Sequence, residues 1–347
     1  MNKILTTPIS NMSINTNDIK DFYVMALESS CDETACAIVK NGREVIANTV
    51  ASQIETHKTF GGVVPEVAAR EHLDAVNLVI EETFQKANMS GDEISAFSAT
   101  VGPGLVGCLL VGLNAAKSLA IAYDKPFIGI NHLNAHVCAN YIDTELKPPF
   151  MALLVSGGHT QIIHVKSYEE QEILGGTIDD AVGEAYDKVA RLIGLPYPGG
   201  VHLDKLAQIG NKTAYSLPTA KVGEFEFSFS GLKTAVLREV KNQEKPLSDE
   251  FRKDISASFQ ENVSKVLITK LENACKKFNV KTIVLAGGVA ANSEIRQKAF
   301  ALKEKGYSVY APQMKYCTDN AAMVASAAYF MSNTYNNLDV EVFSRSK

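Results

Sequence analysis

The 347-residue chain has no CxxC pair. Its six cysteines, Cys31, Cys36, Cys108, Cys138, Cys275 and Cys317, are scattered, which excludes a disulfide framework and points to free thiols in a reducing cytosol. Basic charge is not in excess either. There are 34 Lys and Arg against 39 Asp and Glu, a net charge of −5. A chain that gripped nucleic acid by general electrostatics would be basic, so any RNA contact needs a local patch, a partner, or both. No apolar run reaches the roughly 20 residues of a spanning helix. The longest charge-poor stretch, Val101–Ala116, is broken by Pro103 and four glycines and ended by Lys117. It predicts a buried helix whose small residues, Gly107, Cys108, Gly112, Ala115 and Ala116, pack closely on a sheet. Residues 1–21 lack an apolar h-region and are poor in basic residues, so they are expected to be a frayed, disordered extension rather than a targeting segment.

With 46% hydrophobic and 21% charged residues, the chain is neither disordered nor membrane-embedded in composition. A soft prior of roughly 150 residues per domain gives about two lobes. The pattern begins with two apolar runs, Tyr23–Leu27 and Ala35–Val39, around the polar turn Glu28–Thr34, and continues as Glu44–Ala51. A helix is predicted from Pro65 to Lys86 with Leu73, Val76, Ile80 and Phe84 on its inner stripe. Strand, buried helix, strand and a helix from His132 follow. Lys147-Pro148-Pro149 reads as a linker, after which the pattern restarts with strands at Phe150–Val155 and Gln161–Val165 around Ser156-Gly157-Gly158-His159. Alternating strands and helices predict α/β layers, with residues 22–148 as a first lobe and 149–347 as a second, and a ligand cleft between them.

Three features could carry chemistry. Ser156-Gly157-Gly158-His159-Thr160 is either a hairpin turn or a backbone cradle for an anion. Gly287-Gly288 follows a strand and opens a helix, but the lysine of a Walker loop and the third glycine of GxGxxG are absent. His132 and His136 stand one helical turn apart, about 40° around the axis, as a bidentate metal site would need. Asp319 could supply a third ligand, or serve only as a helix cap. A zinc peptidase would want Glu directly after the first histidine, where Leu133 stands. Acidic residues Asp179, Asp180 and Glu184 suit a helix start, whereas Asp187 lies deeper and is the one expected to touch ligand.

The motifs occur in one order: Glu28–Thr34, Gly61–Glu66, Gly102–Gly107, His132 with His136, Leu154–Thr160, Phe227–Lys233, Ala286–Asn292 and Cys317–Asn320. Together they closely resemble the TsaD (formerly Gcp) family of tRNA N6-adenosine threonylcarbamoyltransferases, over about Phe22 to Met331. The resemblance implies the two-lobed actin/Hsp70/sugar-kinase-like (ASKHA) α/β fold. It implies transfer of threonylcarbamoyl from threonylcarbamoyl-AMP to N6 of the adenosine 3′ of the anticodon, with release of AMP, in the cytoplasm. His132, His136 and Asp319 match the family's metal ligands, for iron, with zinc the alternative. Leu154, Val155, Ser156, Gly157 and Gly158 match its substrate loop, and Asp187, Gly200, Asp204 and Asn292 its other nucleotide positions, for threonylcarbamoyl-AMP or ATP. A bacterial member would work with TsaB-like and TsaE-like proteins and receive its donor from a separate synthase. Asn134 and Ala135 stand where Glu-Gly is frequent, and Ala321 where Gly is; none is a ligand position. With net −5, Lys188, Arg191, Lys233 and Lys315 are the expected tRNA contacts. A kinase of the same superfamily would instead need an Asp base and no transition metal. A chaperone-like ATPase module would transfer nothing to tRNA.

Overall fold

The computed structural model describes residues 21–331 and 338–345. The expected extension at residues 1–21 therefore lies, apart from Asp21, outside the described residues. The chain divides into two compact units. The first holds residues up to 55, 63–146 and the stretch from Asp319 onward; the second holds 56–62 and 147–318. The final stretch thus belongs with the first unit, which corrects the second-lobe range of 149–347.

In the first unit, β1 (Tyr23–Glu28), β2 (Glu33–Lys40), β3 (Glu44–Ser52), β4 (Ala96–Gly102) and β5 (Phe127–Asn131) form one sheet in the order β3-β2-β1-β4-β5. The β1–β2 and β2–β3 pairs are antiparallel, and β1–β4 and β4–β5 parallel. A short helix α1 (Ile54–Lys58) runs into the second unit's segment, followed by α2 (Pro65–Ala87), α3 (Val106–Ala122) and α4 (His132–Cys138). In the second unit, β6 (Phe150–Val155), β7 (Thr160–Val165), β8 (Gln171–Gly176), β9 (Thr282–Ala286) and β10 (Ser308–Tyr310) form a sheet in the order β10-β9-β6-β7-β8. Its pairings repeat those of the first: antiparallel hairpins from β6 to β8, parallel neighbours from β6 to β10. The repeat of pattern in the sequence is a repeat of topology. Helices α5 (Val182–Leu192), α6 (Gly199–Ala207), α7 (Ser230–Lys241), α8 (Asp249–Lys277) and α9 (Ser293–Ala301) surround this second sheet's core, and α10 (Ala321–Phe330) belongs to the first unit. No helix among the described residues is long and apolar enough to cross a membrane.

Two helices differ from expectation. Leu73 of α2 is exposed, whereas Val76 is buried, Ile80 and Phe84 pack against the core, and Ala68, His72, Val79 and Thr83 complete the inner stripe. Polar residues enter that stripe because each finds a partner. Thr83 donates to the carbonyl of Cys36, and the His72 ring lies between Thr34 Oγ1 (2.7 Å) and the Cys31 carbonyl (3.0 Å). The carbonyl can only accept, so His72 Nε2 carries the proton and Nδ1 accepts from the threonine hydroxyl. Nor is α3 buried all round. Its Cys108, Leu109, Gly112, Leu113, Ala116 and Ala120 face inward, while Val106, Leu110 and Ile121 are exposed. Gly112 permits this contact: a Cβ there would lie 2.5 Å from Ser29 Oγ, which accepts the Gly112 N–H at 3.1 Å.

Leu113, 3% exposed, and Leu110, 42% exposed, separate the two faces of α3. Leu113→Ala should lower the unfolding free energy by about 2–5 kcal/mol, and Leu110→Ala by no more than about 0.5 kcal/mol, in urea titrations. Burial lowers the pKa of His72 below its ordinary value. A histidine held neutral in this way contributes stability above the unfolded pKa of about 6.5, and that contribution is lost as pH falls toward the folded value. The wild type should therefore lose more unfolding free energy than His72→Gln between about pH 7.5 and about pH 5.5; equal slopes would contradict this.

Candidate metal centre and nucleotide-binding elements

Helix α4 begins directly at the end of β5. Asn131, its N-cap, accepts the N–H groups of Leu133 (2.9 Å) and Asn134 (3.4 Å), so His132 occupies the first helical position. One turn on, His136 is 1% exposed, and the two rings lie 4.6 Å apart between centroids. The third residue arrives from the far end of the chain. Asn320, not Asp319, caps α10, accepting the Met323 N–H at 3.1 Å. Asp319 is thereby left to face the histidines: its Oδ1 lies 3.1 Å from His136 Nε2 and 3.6 Å from His132 Nε2. One ligand atom from each of the three residues lies within 4.8 Å of the others.

The electrostatics of this cluster are those of a cation site. Burial opposes charge on His132, but Asp319 and Glu28 more than offset it and lift the imidazole to about 9. Burial would raise Asp319; the two histidines hold it at about 2. Glu28 is also lowered, its burial outweighed by the His132 charge and hydrogen bond. Two carboxylates thus share one positive charge on His132. The donor set also fits a divalent metal: two imidazole nitrogens and one carboxylate oxygen converge, with Nδ1 of His132 engaged by a carboxylate behind it. The Nδ1 of His136 is buried with no hydrogen-bond partner, so that ring's polar contact is made through Nε2 alone. Glu28, at the end of β1, belongs to this cluster although the sequence indicated it only as part of a polar turn suited to phosphate or cation.

The second unit collects the residues matched to nucleotide binding. Leu154 and Val155 end β6 with fully buried side chains. The turn beyond them is closed by Ser156 N–H to the His159 carbonyl (2.8 Å) and His159 N–H to Ser156 Oγ (3.1 Å). Gly157 and Gly158 are exposed, with nothing within 4 Å of where a Cβ would stand. Two elements close on this turn. The start of α5 meets it through the Gly183 N–H to the Ser156 carbonyl at 3.2 Å. The end of β9 meets it at Gly287, where φ is +87° and a Cβ would lie 2.4 Å from the Val155 carbonyl oxygen.

Further along α5, Asp187 Oδ1 accepts the N–H groups of Gly199 (2.8 Å) and Gly200 (3.1 Å), fastening the first turn of α6. Burial raises its pKa, and these two donors only partly counter that. A cavity of about 510 Å³ opens beside it, lined also by Arg191, Tyr197, His202 and Lys58. Asp204 and Asn292 meet through a residue the sequence did not indicate. Gln260 of α8 donates to Asp204 Oδ1 (2.8 Å) and accepts from Asn292 Nδ2 (2.8 Å), while Ser293 Oγ donates to the same Asp204 oxygen (2.6 Å). Gln260 is buried in α8 alongside Ser256, Ser258 and Ser264, and nothing in the sequence marks which of these polar residues meets distant partners. Of the expected tRNA contacts, Lys188 is paired with Asp180 and Glu184 and Lys233 approaches Asp180, so neither presents an unshared charge. Arg191 donates to the Gly61 carbonyl, and Lys315 lies over the Tyr316 ring.

Gly287→Ala tests the packing around the glycine turn. A side chain at positive φ against a backbone oxygen should cost about 1–3 kcal/mol of stability. Unfolding at the wild-type urea midpoint would show that the backbone yields there.

The family model described as TsaD: tRNA N6-adenosine threonylcarbamoyltransferase matches residues 44–326. Curated proteins of that name are similar along most of their length. The one from Bacillus subtilis is 52% identical over 313 residues, covering 89% of this chain and 90% of that protein. The one from Clostridium novyi is 51% identical over 316 residues, covering 90% and 93%. Among solved structures, a full-length HypF in its phosphate- and nucleotide-bound form is similar with a TM-score of 0.62 at 14% identity, over 91% of this chain and 47% of that one. Component A of the (R)-2-hydroxyglutaryl-CoA dehydratase of Acidaminococcus fermentans gives 0.52 at 16%, over 90% and 100%. These two likenesses show the fold alone, the ASKHA-type α/β architecture. With the sequence matches, they establish that the chain belongs to the TsaD family of tRNA N6-adenosine threonylcarbamoyltransferases, which are acyl-transferring enzymes.

Proposed function

We propose that the chain transfers the threonylcarbamoyl group of threonylcarbamoyl-AMP to N6 of the adenosine 3′ of the tRNA anticodon, releasing AMP. The observation that carries this is the convergence of His132, His136 and Asp319 in a chain half identical to enzymes named for that modification. In the reaction N6 attacks the carbamoyl carbon, a C–N bond forms, and the bond from that carbon to the phosphate oxygen of AMP breaks. N6 gives up one proton to solvent. The donor is an activated mixed anhydride, so the protein's task is positioning and charge stabilisation.

His132, His136 and Asp319 would hold one divalent metal. A two-histidine, one-carboxylate set with open positions suits iron(II), with zinc the alternative. Bound there, the metal supplies Lewis-acid polarisation or orientation of the donor. In the turn after Leu154 and Val155, Ser156 closes the reversal and the exposed Gly157 and Gly158 offer backbone N–H groups to phosphate or carbonyl oxygens. Asp187 and Gly200 stand at one edge of the 510 Å³ cavity's surroundings, and Asp204 and Asn292, locked by Gln260, form the second polar cluster for the nucleotide. The paired state of Lys188 and Lys233 and the net −5 charge support a chain that supplies chemistry and shares the gripping of tRNA with TsaB-like and TsaE-like partners. A separate synthase provides the donor, and the setting is the cytoplasm.

A transfer assay with labelled threonine, ATP, bicarbonate, donor synthase, partner proteins and tRNA checks this directly. His136→Ala should lose its metal and at least ~100-fold in transfer rate, the upper end of what even an outer-shell change costs a metal site. Full metal content with full rate in that variant would defeat the proposal.

A further inference from the structure

We infer that Glu28 is a positioning residue for His132, fixing the imidazole's tautomer and orientation so that Nε2 is presented as the metal ligand. The inference rests on the metal reading of the cluster and adds to it a residue outside the ligand set.

Glu28 is 1% exposed, and both of its oxygens are engaged. Oε1 accepts the Ser30 N–H at 2.6 Å. Oε2 accepts the Thr100 hydroxyl at 2.6 Å and lies 3.1 Å from His132 Nδ1. An ionised carboxylate can only accept, so Nδ1 must carry a proton. When the ring is neutral, its lone pair is then on Nε2, the atom 3.6 Å from Asp319. A carboxylate behind a ligating imidazole also raises the ring's basicity and locks its rotation. The two histidines differ in this respect. His132 has Glu28, with the Ser30 hydroxyl also 3.2 Å from Nδ1, whereas His136 has no partner for its Nδ1. His132 is thus held by polar contacts on both ring nitrogens, and His136 through Nε2 alone.

The side-chain amide of Gln at position 28 cannot reproduce this. If its oxygen stays on the Ser30 N–H, its NH₂ faces His132 Nδ1 and makes that nitrogen an acceptor, moving the ring proton to Nε2. If it flips, two N–H donors confront each other in a buried site. Either way the ligand atom is compromised while size and shape are kept.

The test is titration of the metal-stripped full chain with cobalt(II) alone, reading affinity by competition and ligand geometry by the visible spectrum. Glu28→Gln should bind cobalt(II) about 10–100-fold more weakly, with an altered spectrum. Thr100→Val removes one hydroxyl from Oε2 and should weaken binding, whereas Thr100→Ser should restore wild-type affinity and spectrum. That pair decides the matter should Glu28→Gln not fold. Glu28→Gln within about twofold of wild type, or Thr100→Val indistinguishable from Thr100→Ser, would overturn the inference, provided that His136→Ala abolishes binding. If wild type and His136→Ala take up cobalt(II) alike, or neither binds it, the metal reading itself falls and the inference with it.

Discussion

The first unit depends on bringing one carboxylate from the end of the chain against two imidazoles near its middle. Asp319 can do so because α10 is built to be swallowed. Ala321, Ala322, Ala325, Ala327 and Ala328 are all buried, and the helix packs on β1 and α4. Small side chains let the helix axis come close without displacing the sheet. The one polar residue among them, Ser326, donates to the carbonyl of Gly42 and lies 3.2 Å from that of Cys138, which ties α10 both to the β2–β3 turn and to the end of α4. Asn320 takes the capping role, so Asp319 keeps its oxygens for the histidines.

The two units share a strand order and differ at their turns. After the first strand of each sheet the chain makes a short reversal, Ser29–Asp32 in one and Ser156–His159 in the other. The first reversal is polar and pinned. Ser30 N–H holds Glu28, Leu105 N–H holds the Ser30 carbonyl at 2.8 Å, and His72 holds the Cys31 carbonyl. The second is glycine-bearing, with its outer face clear. One scaffold therefore yields a fixed array of side-chain ligands in one unit and an accessible stretch of backbone in the other. The chemistry has diverged where the hydrogen-bond ladder ends and side-chain choice is least constrained by packing.

Much of this was legible in the sequence because strong periodic signals and turn residues coincide with the elements. The β1–β2 hairpin, β4 to α4 and the restart at β6 follow their apolar runs closely. Strand β8 did not announce itself, since Gln171–Gly176 is an edge strand with no buried residue and ends in two glycines. On α2, Val76, Ile80 and Phe84 lie on the core side as their spacing indicates, but His72 and Thr83 turn inward to satisfy the sheet's polar groups and leave Leu73 in solvent. The metal ligands could be proposed from helical spacing and family resemblance. The choice between Asp319 and Asn320 as cap could not be made from propensity, which ranks the two alike. Glu28 and Gln260 were hidden for a different reason: their meaning lies wholly in partners distant along the chain.

The late position of Asp319 has a consequence for biosynthesis. Ribosomes deliver the chain from the N-terminus at some 5–20 residues per second. The histidines are therefore made long before the carboxylate, and the whole second unit, 147–318, must emerge in between. The nascent first unit carries an unfinished core where α10 will dock, with the carbonyls of Gly42 and Cys138 still awaiting the Ser326 hydroxyl. A translation product that stops between His136 and Asp319 holds both imidazoles and Glu28 but lacks the third ligand. Completion of the ligand triad therefore waits on the whole second unit, so a product truncated ahead of Asp319 cannot assemble the site.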